Sequence, residues 1–178
     1  MIVVEQPHRF RLVTQPDHAY LAGKLAKLWR ADGLPEHPRR DDLLTAVREH
    51  DNGWREADAA PRLDREHGRP YDFLTMPQEE RLEIWRRGTT RYRDSRPYVA
   101  LLVTLHALYL HRDRRDNSAF EPLFEHLDPL RDELLETTGA DPDLAWQDYW
   151  IVGATDQVSL VAASDWTGPF TYEMGDRR

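Results

Sequence analysis

At 178 residues, with 40% aliphatic and aromatic side chains and 31% charged ones, the chain has the makeup of one soluble globular domain. A domain of that length buries about two-thirds of its unfolded surface. Its net charge of −8 argues against nucleic acid or an anionic membrane as partner, and the lack of cysteine excludes disulfides, thiolate metal sites and a cysteine nucleophile.

The N-terminus, Met1-Ile2-Val3-Val4-Glu5, has no basic region followed by a long apolar run. The apolar stretches near 98–110 and 149–162 are too short or too polar to span a bilayer. A cytoplasmic protein with no membrane partner is expected. Six tryptophans in this length call for either a bulky core or a ligand cavity with aromatic walls.

Residues 2–4 and 9–13 are short, β-branched and partly alternating, and predict a small hairpin or a pair of edge strands. Thr14-Gln15-Pro16-Asp17 reads as a helix start, with a capping Thr, an early Pro and an acid three residues on. His18, Ala22, Leu25 and Trp29 follow at helical spacing, so His18 falls on the buried face. After Gly33, Pro35 and Pro38, residues 39–51 place Leu43, Leu44, Val47 and His50 on one stripe, with Gly53 as the expected stop.

Residues 53–77 show no clear periodicity. Tyr71-Asp72-Phe73-Leu74 is too apolar for disorder, so an ordered loop packed over the site is expected. Leu82, Trp85, Thr89 and Tyr92 then mark a helix from 78 to 92. Tyr98–Leu110 is apolar on nearly every side, which marks a central helix with His106 in its middle. Residues 112–116 are a charged turn, and Leu123, Leu127, Leu130 and Leu134 give a further amphipathic helix. Asp141-Pro142 opens a long helix to about Ala163, on which Tyr149, Val152, Asp156, Ser159 and Ala163 share a face.

The fold class is therefore all-α: one domain over 1–178, a bundle of about six helices with a minor N-terminal β element. Its core covers about 14–163, and residues 164–178 form a tail.

Five groups stand out, each on a core-facing stripe: His18, the adjacent His50-Asp51, His106 and Asp156. A single core histidine is more often hydrogen-bonded than a ligand. Two buried carboxylates, however, need a cation or strong donors, because an unpaired buried charge costs several kcal/mol. Helix bundles build metal sites from side chains on facing helices in this manner.

The order His…His-Asp…Asp resembles the HD-domain superfamily, which is all-α. Thr155-Asp156-Gln157-Val158-Ser159-Leu160 looks like that superfamily's closing Asp motif. More closely, His18-Ala19-Tyr20-Leu21-Ala22-Gly23, His50-Asp51-Asn52-Gly53-Trp54, Arg69-Pro70-Tyr71-Asp72-Phe73-Leu74 and Trp85 resemble a bacterial HD-like family of unknown function, over about residues 14–162. The resemblance implies His18, His50, Asp51 and Asp156 as metal ligands, with His106 able to join them or support a second ion. The cofactor is then one or two divalent ions, with Mn, Fe, Mg, Co, Ni and Zn all open.

The implied activity is metal-dependent phosphohydrolysis, with a small phosphorylated or nucleotide-like molecule as substrate and Asp51 and His106 as catalytic groups. A dinuclear iron oxygenase and a non-catalytic ligand-binding module are the alternatives. Arg69, Tyr71, Phe73, Trp54 and Lys24 are the candidate substrate contacts, with Arg86-Arg87 as further cations for phosphoryl oxygens. His126 flanks a buried stripe, whereas His8, His37, His67 and His111 are expected at the surface.

Overall fold

In a computed structural model, which describes residues 1–31 and 33–169, the helical periodicity of the sequence becomes an all-α bundle with two small β pairs. Part of the expected tail, 170–178, lies outside the described residues. Strands β1 (Ile2–Gln6) and β2 (Arg9–Val13) pair antiparallel, Ile2 opposite Val13. The hairpin is tied down at both faces. Arg11 donates to the Ala163 carbonyl at 2.7 Å, and the Val3 amide donates to Asp72 Oδ2 at 3.0 Å.

Helix α1 (Gln15–Leu28) starts as the sequence implies: Thr14 Oγ1 accepts from the Asp17 amide, and Pro16 occupies the first turn, where no amide is needed. Helix α2 (Arg40–Glu49) follows and is capped by His50. The segment 53–77, expected as an irregular loop, is built of short elements too brief to leave a period. A 3₁₀ turn at Asn52–Trp54 leads into α3 (Arg55–Ala59), then a minimal hairpin of β3 (Leu63–Asp64) and β4 (Arg69–Pro70). Four helices complete the described chain: α4 (Gln78–Thr90), α5 (Pro97–His111), α6 (Glu121–Thr138) and α7 (Pro142–Ala163).

Helix α5 is the axis. Every residue from Tyr98 to Tyr109 is buried, because α2, α4, α6 and α7 all pack on it. Helix α1 lies across α2 and α7, closing the side on which His18 faces inward. No helix among the described residues is long and apolar enough to cross a membrane.

Gly53 does not end α2 in a left-handed conformation; among the described glycines that role falls to Gly33, Gly68 and Gly139, the last closing α6. What Gly53 permits is contact between backbones. A Cβ there would lie 2.2 Å from the Ile84 carbonyl oxygen and 3.0 Å from the Gly88 nitrogen, so α4 sits directly against the turn that follows Asp51.

Candidate metal centre

Three helices deliver the ligand set. His18 comes from the first turn of α1, His50 and Asp51 from the end of α2, and Asp156 from mid-α7. Helix α5 adds His106 from the core axis. All five are buried, and their ligand atoms form two overlapping triads, His18–His50–Asp51 and His50–His106–Asp156, each within 4.8 Å. The His50 ring stands edge-on to both other imidazoles, with centroids 5.0 Å from His18 and 4.9 Å from His106.

The tautomers follow from the partners. Ser159 donates its hydroxyl proton to the Asp156 carbonyl at 2.8 Å, so it accepts from His18 Nδ1, also at 2.8 Å. His50 Nδ1 donates to the Val47 carbonyl at 2.7 Å. In their neutral forms both rings therefore turn an Nε2 lone pair toward carboxylate oxygens. His18 Nε2 lies 2.8 Å from Asp51 Oδ2, and His50 Nε2 lies 3.2 Å from Asp156 Oδ1 and 3.6 Å from Asp51 Oδ2.

His50 Nε2 makes no hydrogen bond among the described residues although it is fully buried. Lone pairs from two imidazoles and two carboxylates that converge in this way fit a cation. The mixed nitrogen and oxygen donors suit a borderline or hard divalent ion. Fixing an imidazole through its second nitrogen, as Ser159 and Val47 do, is the usual support for a metal-ligating histidine.

The electrostatics carry the same message. Burial works against a charged His50, yet Asp51 and Asp156 outweigh it and raise its pKa to about 9. Burial likewise opposes ionised Asp51 and Asp156, but the facing His50, with the other imidazoles, holds both carboxyls below the ordinary carboxylate range. His106 is pushed down to about 4, by burial and then by His50, and so stays neutral. Its Nδ1 lies 3.3 Å from the Tyr149 hydroxyl. The site attracts positive charge strongly enough to hold a proton on His50 well above neutral pH.

Beside the cluster opens a cavity of about 380 Å³ whose floor includes Asp51, His106 and Asp156. Trp54, Phe73, Trp85 and Phe120 form its aromatic walls, and Leu74, Leu110, Arg81 and Arg114 lie toward the exposed side. Of the expected substrate contacts, Trp54 and Phe73 thus line the pocket.

The other expected contacts do not. Tyr71 faces a separate hollow with Met1, Glu56, Pro61 and Met76, because the chain turns after Asp72, whose carbonyl accepts from the Thr75 and Met76 amides, and Phe73 is carried away from it. Arg69 lies in the β3–β4 hairpin, its backbone opposite Asp64, and does not line the cavity. Lys24 is exposed on α1, its ammonium over the Tyr20 ring. Arg86 donates to the Pro122 carbonyl, and Arg87 binds the Gly53 carbonyl and Glu56, so both brace helices instead of facing the pocket.

His126 is also outside the cluster, with Nε2 3.2 Å from Thr89 Oγ1. His37 is half-buried and pairs with Asp148 at 3.1 Å. His111 is not at the surface: it is half-buried, donates from Nδ1 to the Ala107 carbonyl, packs on Trp85 and lines the cavity. Residues missed from the sequence are Arg81, Arg114 and Gln15. The usable signal for the first was Arg81 four positions before Trp85, on one face of α4.

No curated protein and no solved structure matches the chain. A family model described as "Protein of unknown function (DUF3891)" matches residues 1–171, so the chain belongs to that family.

Proposed function

We propose that the protein is a mononuclear metal-dependent hydrolase of HD type acting on a small phosphorylated molecule. The observation that carries this reading is the fully buried Nε2 of His50, set against the carboxylates of Asp51 and Asp156 at the floor of an aromatic pocket. His18, His50, Asp51 and Asp156 would hold the ion, and His106 lies close enough to complete its shell. When bound, a divalent ion acidifies neighbouring water and polarises a phosphoryl oxygen. The chain's own residues do the rest. Asp51 and Asp156 stay ionised and hold the cation's charge at the pocket floor. His106, kept neutral, offers the lone pair of the ring nitrogen not directed at Tyr149 to the cluster. Trp54, Phe73, Trp85 and Phe120 hold the substrate body and exclude water.

The oxygenase reading is less well supported, because a second iron requires further histidines. His126 is engaged with Thr89, and His50 offers a single lone pair to both triads.

The test joins metal analysis with a phosphomonoester panel. One divalent ion per chain is expected, with turnover falling at least about a hundredfold in His50→Ala while the helical circular-dichroism signal persists. Two irons per chain with oxygen consumption would replace the proposal by the oxygenase. A fully folded protein that takes up no ion on reconstitution would leave a ligand-binding module.

A further inference from the structure

The pocket has two chemically opposed ends. Its floor is the metal centre, and the only acids in its lining are Asp51 and Asp156. Moving outward along α5, the lining residues are His106, then Leu110 and His111 in the last turn, followed by Arg114 in the 3₁₀ turn that extends the helix. Moving outward along α4, they are Trp85 and then Arg81, four apart. Both tracks run from buried aromatic rings to a guanidinium.

Eight other arginines are committed: Arg55, Arg62, Arg87, Arg91, Arg93, Arg96, Arg115 and Arg131 each sit within 3.1 Å of a carboxylate. The side chains of Arg81 and Arg114 take part in no ion pair and donate no hydrogen bond among the described residues, and the buried Arg81 Nε is unpartnered. Burial, and the like charge of Arg114 beside it, lower the Arg81 pKa; both guanidiniums also act on His111. Two cations in one pocket lining, the half-buried Arg81 and the exposed Arg114, with both lining acids at the floor, make the mouth a place where an anion is favoured.

We propose that Arg81 and Arg114 form a second anion subsite, so that the substrate is a small phosphoester whose leaving group carries its own anionic group. This assignment rests on the hydrolase reading for the identity of the scissile end. Eight residues separate His106 from Arg114, about 12 Å at 1.5 Å per residue, and the arginine side chain shortens that span. A ligand with its phosphoryl group at the floor, a flat body between Trp54, Phe73, Trp85 and Phe120, and a carboxylate or second phosphate at the mouth fits the cavity. A planar guanidinium pair recognises such a group through forked hydrogen bonds.

The experiment uses two non-hydrolysable probes, phenylphosphonate and 4-carboxyphenylphosphonate, titrated calorimetrically into the full chain. In the parent the added carboxylate should tighten binding at least about tenfold, the yield of one charge-assisted hydrogen bond. Arg81→Gln and Arg114→Gln should each remove most of that gain while leaving phenylphosphonate affinity within about twofold. Arg81→Lys, which keeps the charge, should retain part of it. Arg114 is exposed, so its variant tests the subsite without risk to the fold.

Equal affinities of the parent for the two probes, no binding of either, or a gain that survives in both glutamine variants would overturn the proposal. If the carboxylate gain is present but the matching phosphate esters are not hydrolysed, the anion subsite stands and the hydrolase reading falls.

Discussion

Stripping the metal should expose a pH dependence of stability that belongs to His50. Its folded pKa of about 9 lies above the ordinary value of 6.5, so the group contributes stability that is fully present below pH 6.5. That stability is lost as pH rises through 9. The difference is worth on the order of 3 kcal/mol, at about 1.4 kcal/mol per pKa unit. For a chain of this length it corresponds to a fall in Tm of about 6–12 °C between pH 6.5 and 9.5.

His106 acts in the opposite window. Its pKa, lowered to about 4, makes a contribution present above pH 6.5 and lost as pH falls through 4. The chelated protein should therefore melt highest near pH 6.5, with Tm falling on both sides. In the loaded protein an ion takes the proton's place at Nε2, so the alkaline loss should vanish and the acid loss should steepen. Differential scanning fluorimetry from pH 4 to 10, with EDTA and with added Mn²⁺, measures both curves. A chelated protein whose Tm stays level from pH 6.5 to 9.5, or curves that superimpose with and without metal, would refute the reasoning.

Ser159→Ala removes the acceptor of the buried His18 Nδ1 and frees the ring to turn, so metal affinity should fall about 10- to 100-fold and Tm of the chelated protein by a few degrees, for an unsatisfied donor costing about 1–3 kcal/mol; competition with a chelating dye measures the affinity. Gly53→Ala should destabilise by about 1–3 kcal/mol, seen as a lower urea midpoint at unchanged m-value, because the new Cβ meets the rigid Ile84 carbonyl 2.2 Å away; an unchanged midpoint would mean that α4 is free to shift.

The helical order and the clustering of these buried polar groups were legible because both rest on one periodicity. A period of 3.6 places His18, His50, His106 and Asp156 on stripes otherwise made of Ala, Leu and Val, and buried polar groups in such positions must find partners. Gly53 was misread because a glycine after a helix has two physical uses, a left-handed cap or a close backbone approach. Only the position of α4 distinguishes them. Segment 53–77 left no signal because its helix has five residues and its strands two each, shorter than either period can declare. Arg81 and Arg114 were hidden for a related reason. Both sit in charged sequence where most arginines are solvated or paired, and what sets them apart is a missing partner in three dimensions.

The two ends of the pocket also depend on one another. A phosphoryl group approaching the floor meets Asp51 and Asp156, and a like charge at about 4 Å repels it by roughly 4 kcal/mol at an effective dielectric constant of 20. Protonated His50 offsets one carboxylate; a divalent ion offsets both. Anionic ligands should accordingly reach only the arginine end of the chelated protein and span the whole cavity once the ion is in place. On the proposed reading, the metal would do more than activate the reacting bond. On a chain of net charge −8, it would also let the deep end of the pocket accept a negatively charged substrate, while Arg81 and Arg114 would draw that substrate in from solvent.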